Sequence, residues 1–126
     1  MLFRSRLDFS LLQQALANLL LNAAMHTPPG TPIEIRAALE GDALTLYVGD
    51  RGPGLAADLL PRIFDKFARG VNAPTGGNGL GLAIVKGFVE AHHGTVTAAN
   101  RAGGGGPLFT LSLPQPEPAP ALESIP

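Results

Sequence analysis

The chain has 126 residues, 45% of them apolar, a formal net charge of -1 and no cysteine. That length suits one domain with its own core, and the missing cysteines exclude disulfides, thiol chemistry and a cysteine-built metal site. The small net charge argues against general affinity for nucleic acid or acidic membranes while leaving room for a local basic patch that holds a polyphosphate, and no apolar run approaches the roughly 20 residues of a spanning helix.

In chain order, MLFRSRLDF carries no h-region and no small-residue cleavage site, so no secretory signal is expected. Residues 2–6 read as a short edge strand. Asp8 or Ser10 can cap a helix over about 9–25. Leu12, Leu16, Leu19 and Ala23 recur at helical spacing and predict its buried stripe. The run Thr27 to Pro32, TPPGTP, ends the helix because proline cannot continue it. IEIRAAL and ALTLYVG read as two strands around the turn Glu40-Gly41-Asp42. Asp50 to Gly54, DRGPG, is a loop, and a short helical segment is expected over 56–67 with Ile63, Phe64 and Phe67 as apolar anchors.

Residues 68–79 hold four glycines and a proline and predict a mobile loop. LGLAIVKGFVEAHH then reads as a second long helix that Gly94 is placed to end. TVTAAN and PLFTLSL are two further strands joined by the glycine-rich RAGGGG. From Pro114 onward proline alternates with polar residues, so 1–113 is expected to be the domain and 114–126 a disordered tail. The pattern predicts an α+β, two-layer sandwich: a mixed sheet of about five strands with helices on one face.

Three stretches carry candidate chemistry. Asn18 and Asn22 are four apart and share one helix face, about 100° from the centre of the leucine stripe. Their amide oxygens suit Mg²⁺, which takes hard oxygen donors; taken alone, the pair reads first as two polar residues at the border of an apolar face, one bonding its own backbone. Asp50 ends a strand, where its carboxylate can accept from an exocyclic amine. Gly52 and Gly54 behind it permit close backbone approach, although Asp, Gly and Pro also make an ordinary turn. Gly76-Gly77-Asn78-Gly79-Leu80-Gly81-Leu82 runs into a helix whose first amides favour phosphate. Lys66 and Arg69 precede it and can pair with phosphates or stay solvated. Neither a dinucleotide fingerprint nor a P-loop is present, and no nucleophile–base pair is apparent. His26, His92 and His93 lie near helix ends, where the helix dipole accounts for them.

The order NLLLNA, DRGPG, IFDKF, GGNGLGLAIV closely resembles the asparagine box, first glycine box, phenylalanine box and second glycine box of the histidine-kinase catalytic domain, within the GHKL ATPase superfamily. The resemblance spans about residues 8–113. FDKFARG and AANRAGGGGPLFTLSLP are most similar to the KdpD-type sensor kinases, which respond to potassium limitation. The resemblance implies the Bergerat ATP-binding fold, with ATP and Mg²⁺ between helices and a lid. It implies that Asn22 ligates Mg²⁺ with Asn18 as a second ligand or water-positioning group. Asp50 would bond the adenine amino group, with Gly52 and Gly54 shaping that wall. Phe64 and Phe67 would pin the base of the lid, and Arg69 with Lys66 would meet phosphates. Gly77, Gly79 and Gly81, with Leu80 and Leu82 in the same box, would wrap the triphosphate, and Asn78 would reach the γ-phosphate or Mg²⁺.

Many relatives carry Lys or Arg three residues after the second asparagine and then Tyr or His; here those positions are Met25 and His26. The absent cation implies weaker binding or reliance on Arg69 and Lys66, while His26 keeps a ring near the phosphates. The family's acceptor is a histidine on an upstream dimerisation domain, which passes phosphate to a response regulator. No such helix precedes residue 8, so the expectation is a monomeric, cytoplasmic catalytic part of a membrane-associated kinase, with no nucleic-acid partner. The principal rival is a non-sensory GHKL module, such as an anti-sigma kinase or a degenerate binding domain.

Overall fold

The computed structural model describes residues 8–65 and 80–114. Helix α1 spans Phe9–Met25, and Asp8 caps it by accepting from the Leu11 N–H at 3.1 Å, which satisfies one of the helix's orphan donors. The predicted stripe is turned slightly: Ala15, Leu19 and Ala23 are fully buried, while Leu12 and Leu16 pack at the margin. Asn18 and Asn22 each cost a few tenths of a kcal/mol in helix propensity. Burial of Leu19 alone contributes about 1.5–3 kcal/mol, so packing decides the helix.

Strands β1, Ile33–Glu40, and β2, Ala43–Asp50, form a hairpin in which Glu40 faces Ala43. Its two-residue turn needs Gly41 at φ +64. β2 alternates so that Leu46 and Val48 enter the core. β1 is exposed along its length. On the outer face Tyr47 donates to Glu40 at 2.8 Å, and Arg36 lies 4.8 Å over its ring.

The helical segment expected over 56–67 is present in its described part as successive tight turns around a 3-10 helix, Leu60–Arg62, and not as a continuous α-helix. Pro61 has no N–H to donate, so no α-helical ladder can build through it. Leu59 and Ile63 still anchor the segment in the core.

Helix α2, Gly81–Ala91, packs beside α1 and buries Leu82, Val85, Phe88 and Val89. Its end also departs from expectation. His93, not Gly94, takes the left-handed backbone at φ 60, and the Gly94 N–H closes the helix on the Val89 carbonyl at 2.8 Å. Gly94 is required for space, because a Cβ there would meet the Ser112 carbonyl oxygen.

β3, Thr95–Asn100, and β4, Pro107–Pro114, complete the sheet in the order β1-β2-β4-β3. β4 runs one residue into the expected tail, with Pro114 facing Ala43. Every described pairing is antiparallel, so the described sheet has four strands and is not mixed. The reason is topological: the path through α2 carries the chain past one strand position, and β4 returns to fill it between β2 and β3. The expected strand at 2–6 and most of the tail lie outside the described residues. Phe109, Leu111 and Leu113 of β4 belong to the same core cluster as the buried faces of both helices.

Candidate functional site

Two contacts bring the described parts of the three candidate stretches together. At the exit of α1, the Thr27 methyl occupies the space that a Cβ on Gly52 would need. Thr27 is itself fixed by its hydroxyl, which donates to the Ala23 carbonyl at 2.8 Å. About two and a half turns before Thr27, Asn18 Oδ1 lies 3.4 Å from the Cβ position of Gly81, the first residue of α2. The asparagine helix therefore touches both the loop behind Asp50 and the helix that follows the second glycine run.

Asp50 closes β2 on the helix side of the sheet, in phase with Leu46 and Val48, and is 3% exposed. A carboxylate so buried needs partners. Oδ1 accepts from the Gly52 N–H at 2.8 Å, which leaves acceptor capacity on the group. Asn18 and Asn22 are half-buried beside Leu19 and Ala23, and neither side chain hydrogen-bonds a described residue. Among the described residues no cluster of three His, Cys, Asp or Glu could hold a metal. Two amide oxygens at a helix border suit an ion that keeps water and shares ligand oxygens, which is the habit of Mg²⁺.

His26 caps α1, its N–H bonded to the Asn22 and Ala23 carbonyls at 3.2 Å. Phe64 sits edge-on to the buried Phe109, ring centroids 6.1 Å apart, which fixes the start of the phenylalanine segment to β4. Leu80 precedes α2, and Leu82 points into the core. Lys66, Phe67, Arg69, Gly77, Asn78 and Gly79 lie outside the described residues.

Three residues outside the candidate motifs also shape this region. Thr27 belongs, by sequence, to the TPPGTP helix stop. Asn100 grips the loop from β3: its Oδ1 accepts from the Leu55 N–H at 2.7 Å and its Nδ2 donates to the Leu55 carbonyl at 2.9 Å. A Cβ on Gly54 would strike that same side chain. Gly52 and Gly54 are thus each needed for a protein neighbour. Arg101 donates to the Asp50 carbonyl at 2.7 Å and pairs with Glu34 at 3.0 Å. Arg101 and then Arg51 hold the Glu34 carboxyl below its ordinary value. The only signal in the sequence was the pair Asn100-Arg101 ahead of a glycine run.

Residues 7–117 match the family profile described as histidine kinase-, DNA gyrase B- and HSP90-like ATPase. The chain is 46% identical over 119 residues to the sensor protein KdpD of Escherichia coli (strain K12), covering 94% of this chain and 13% of that protein. Its structure is similar to the mycobacterial sensor histidine kinase MprB, with TM-score 0.80 and 32% identity, over 90% of this chain and 78% of the other. It is also similar to full-length ShkA in complex with AMPPNP, with TM-score 0.70 and 34% identity, over 87% of this chain and 22% of that one.

Proposed function

The chain belongs to the histidine kinase-, DNA gyrase B- and HSP90-like ATPase family, and from that membership we propose how its residues serve ATP. Within the family it corresponds to the ATP-binding catalytic domain of sensor histidine kinases, which are protein histidine kinases. The observation that carries the reading is the buried Asp50 carboxylate, with spare acceptor capacity, in a loop that the asparagine helix contacts through Thr27.

In this proposal Asp50 accepts a hydrogen bond from the adenine amino group, and Gly52 and Gly54 let the loop lie close beside the base. Asn22, with Asn18, holds Mg²⁺ by amide oxygen. The ion, when bound, neutralises charge on the phosphates. The amides of Gly77, Gly79 and Gly81 surround the triphosphate, with Asn78, Lys66, Arg69 and His26 as further donors. Leu80 and Leu82 set the start of α2, and Phe64, edge-on to Phe109 of β4, pins the base of the lid together with Phe67. Phosphoryl transfer asks the protein mainly for positioning and electrostatic stabilisation, and this donor set supplies both. The similar full-length ShkA is in complex with AMPPNP, an ATP analogue, which supports nucleotide binding by this chain.

The finer reading is a KdpD-like kinase, responsive to potassium in its parent protein. That parent is membrane-associated, and the domain described here is cytoplasmic. It gives the γ-phosphate to a histidine of a dimerisation domain, which then phosphorylates a response regulator. The 46% identity to KdpD supports it. The chain spans 13% of that relative's length, so acceptor, sensor and regulator belong to the proposal. Met25, where many relatives carry a cation, favours a second reading, a non-sensory GHKL regulatory module.

Mixing the chain with ATP, Mg²⁺ and a purified histidine-bearing dimerisation domain from KdpD separates the two. Acid-labile phosphohistidine on the added domain is expected. Tight ATP binding without any phosphotransfer favours the regulatory module, and absence of ATP binding overturns both.

A further inference from the structure

Arg101 follows β3 immediately, and its guanidinium lies over Gly49 on the outer face of the sheet, where a Cβ would sit 3.2 Å from Cζ. Nη2 donates to the Asp50 carbonyl at 2.7 Å and to the Gly105 carbonyl at 2.9 Å. Nη1 donates to Glu34 at 3.0 Å. The Arg101 N–H is tied in turn to the Gly106 carbonyl at 2.9 Å.

The β2–β4 register explains why an arginine is needed. Gly49 faces Leu108, so one step further Asp50 faces Pro107. Proline has no N–H and cannot complete the ladder. Gly106, at φ +86, brings its backbone against the Asp50 carbonyl, and a buried carbonyl there needs a donor. Nη2 is that donor. The tie has a cost, because Arg101 Nε is buried without a partner among the described residues. Behind the sheet Arg101 fixes the main chain of Asp50; in front the same residue presents its carboxylate.

We propose that Arg101 is a positioning residue for nucleotide recognition, holding the end of β2 so that the Asp50 carboxylate meets the amino group of adenine. The inference rests on the adenine role of Asp50. It specifies base discrimination: loss of Arg101 weakens recognition of the amino group more than it weakens recognition of the rest of the nucleotide.

The test is calorimetric titration with ADP and with purine riboside 5′-diphosphate, which lacks the 6-amino group, alongside thermal unfolding. The parent should prefer ADP by about tenfold or more, the worth of a hydrogen bond to a charged acceptor. Arg101→Met should bring the preference close to one while binding the deamino nucleotide within about threefold of the parent. Arg101→Lys, which keeps one donor for the Asp50 carbonyl, should recover part of the preference. A variant that melts earlier yet keeps the parent's preference overturns the positioning role and leaves Arg101 a structural tie. If Arg101→Met does not fold, Glu34→Gln, which releases one hold on the guanidinium, must lower the preference; an unchanged preference again overturns the proposal. A parent that binds both nucleotides equally removes the adenine role of Asp50, and the proposal falls with it.

Discussion

The methyl group of Thr27 fills the space that any side chain at Gly52 would claim, so the exit of α1 and the loop behind Asp50 fit together only with glycine at that position. Gly52→Ala should lower stability by about 1–3 kcal/mol, the usual cost of overpacking, and should weaken ATP binding. Thr27→Ser deletes the offending methyl but keeps the hydroxyl that bonds Ala23. Added to Gly52→Ala, it should restore part of both losses in a double-mutant cycle. Strictly additive effects would show that the two positions do not meet.

Asn100 is the clamp on the other side of the loop. Asn100→Ala removes both bonds to Leu55, and the site is solvent-exposed, so water replaces part of what is lost. A loss of about 1–2 kcal/mol in urea unfolding is expected, with faster amide exchange at Leu55. Unchanged exchange there would mean that the loop is held by other contacts.

Glu34 gives the fold a definite acid dependence. Its folded value lies below the ordinary 4.5 because Arg101 and then Arg51 bond its charged form. A depressed carboxylate contributes stability that is present above its unfolded value and is lost as pH falls through its folded value. Glu34→Gln should therefore be less stable than the parent at neutral pH, and the gap in Tm should close below about pH 4.5. Glu34 is solvent-exposed, so salt should also narrow the gap. A gap independent of pH would remove Glu34 from the account.

Asn22 is assigned to the metal. Asn22→Ala should bind ATP with little or no difference between Mg²⁺ and EDTA, whereas the parent should tighten with Mg²⁺. The helix should persist, since Leu19 and Ala23 carry its packing. Retained metal dependence would assign the ion to other ligands.

Local signals in the chain proved readable where short-range chemistry decides them. Asp8 caps α1 because a carboxylate stands before an apolar-periodic run, and Gly41 marks the hairpin. The order of the four boxes pointed to the family. Pro61 shows the first limit, since its ring keeps the expected helical segment from running as a continuous α-helix. His93 shows the second: either of two adjacent residues could have ended α2, and the approach of Ser112, distant in sequence, left the glycine at 94. The sheet was expected to be mixed because the place of β4 between β2 and β3 depends on long-range pairing. Arg101 was silent for the same reason. Its meaning depends on Pro107 facing Asp50 across two strands, a relation no local window contains.

The central claim is that the asparagine helix, the end of β2 and the start of α2 serve one nucleotide. Amide chemical-shift mapping during titration with AMPPNP and Mg²⁺ tests it most directly. The account predicts that Asn18, Asn22, Asp50, Gly52 and Gly81 shift together along one saturation curve, while Arg36 and Tyr47 on the outer face stay still. Shifts confined to the outer face, or separate curves for the three stretches, would contradict it.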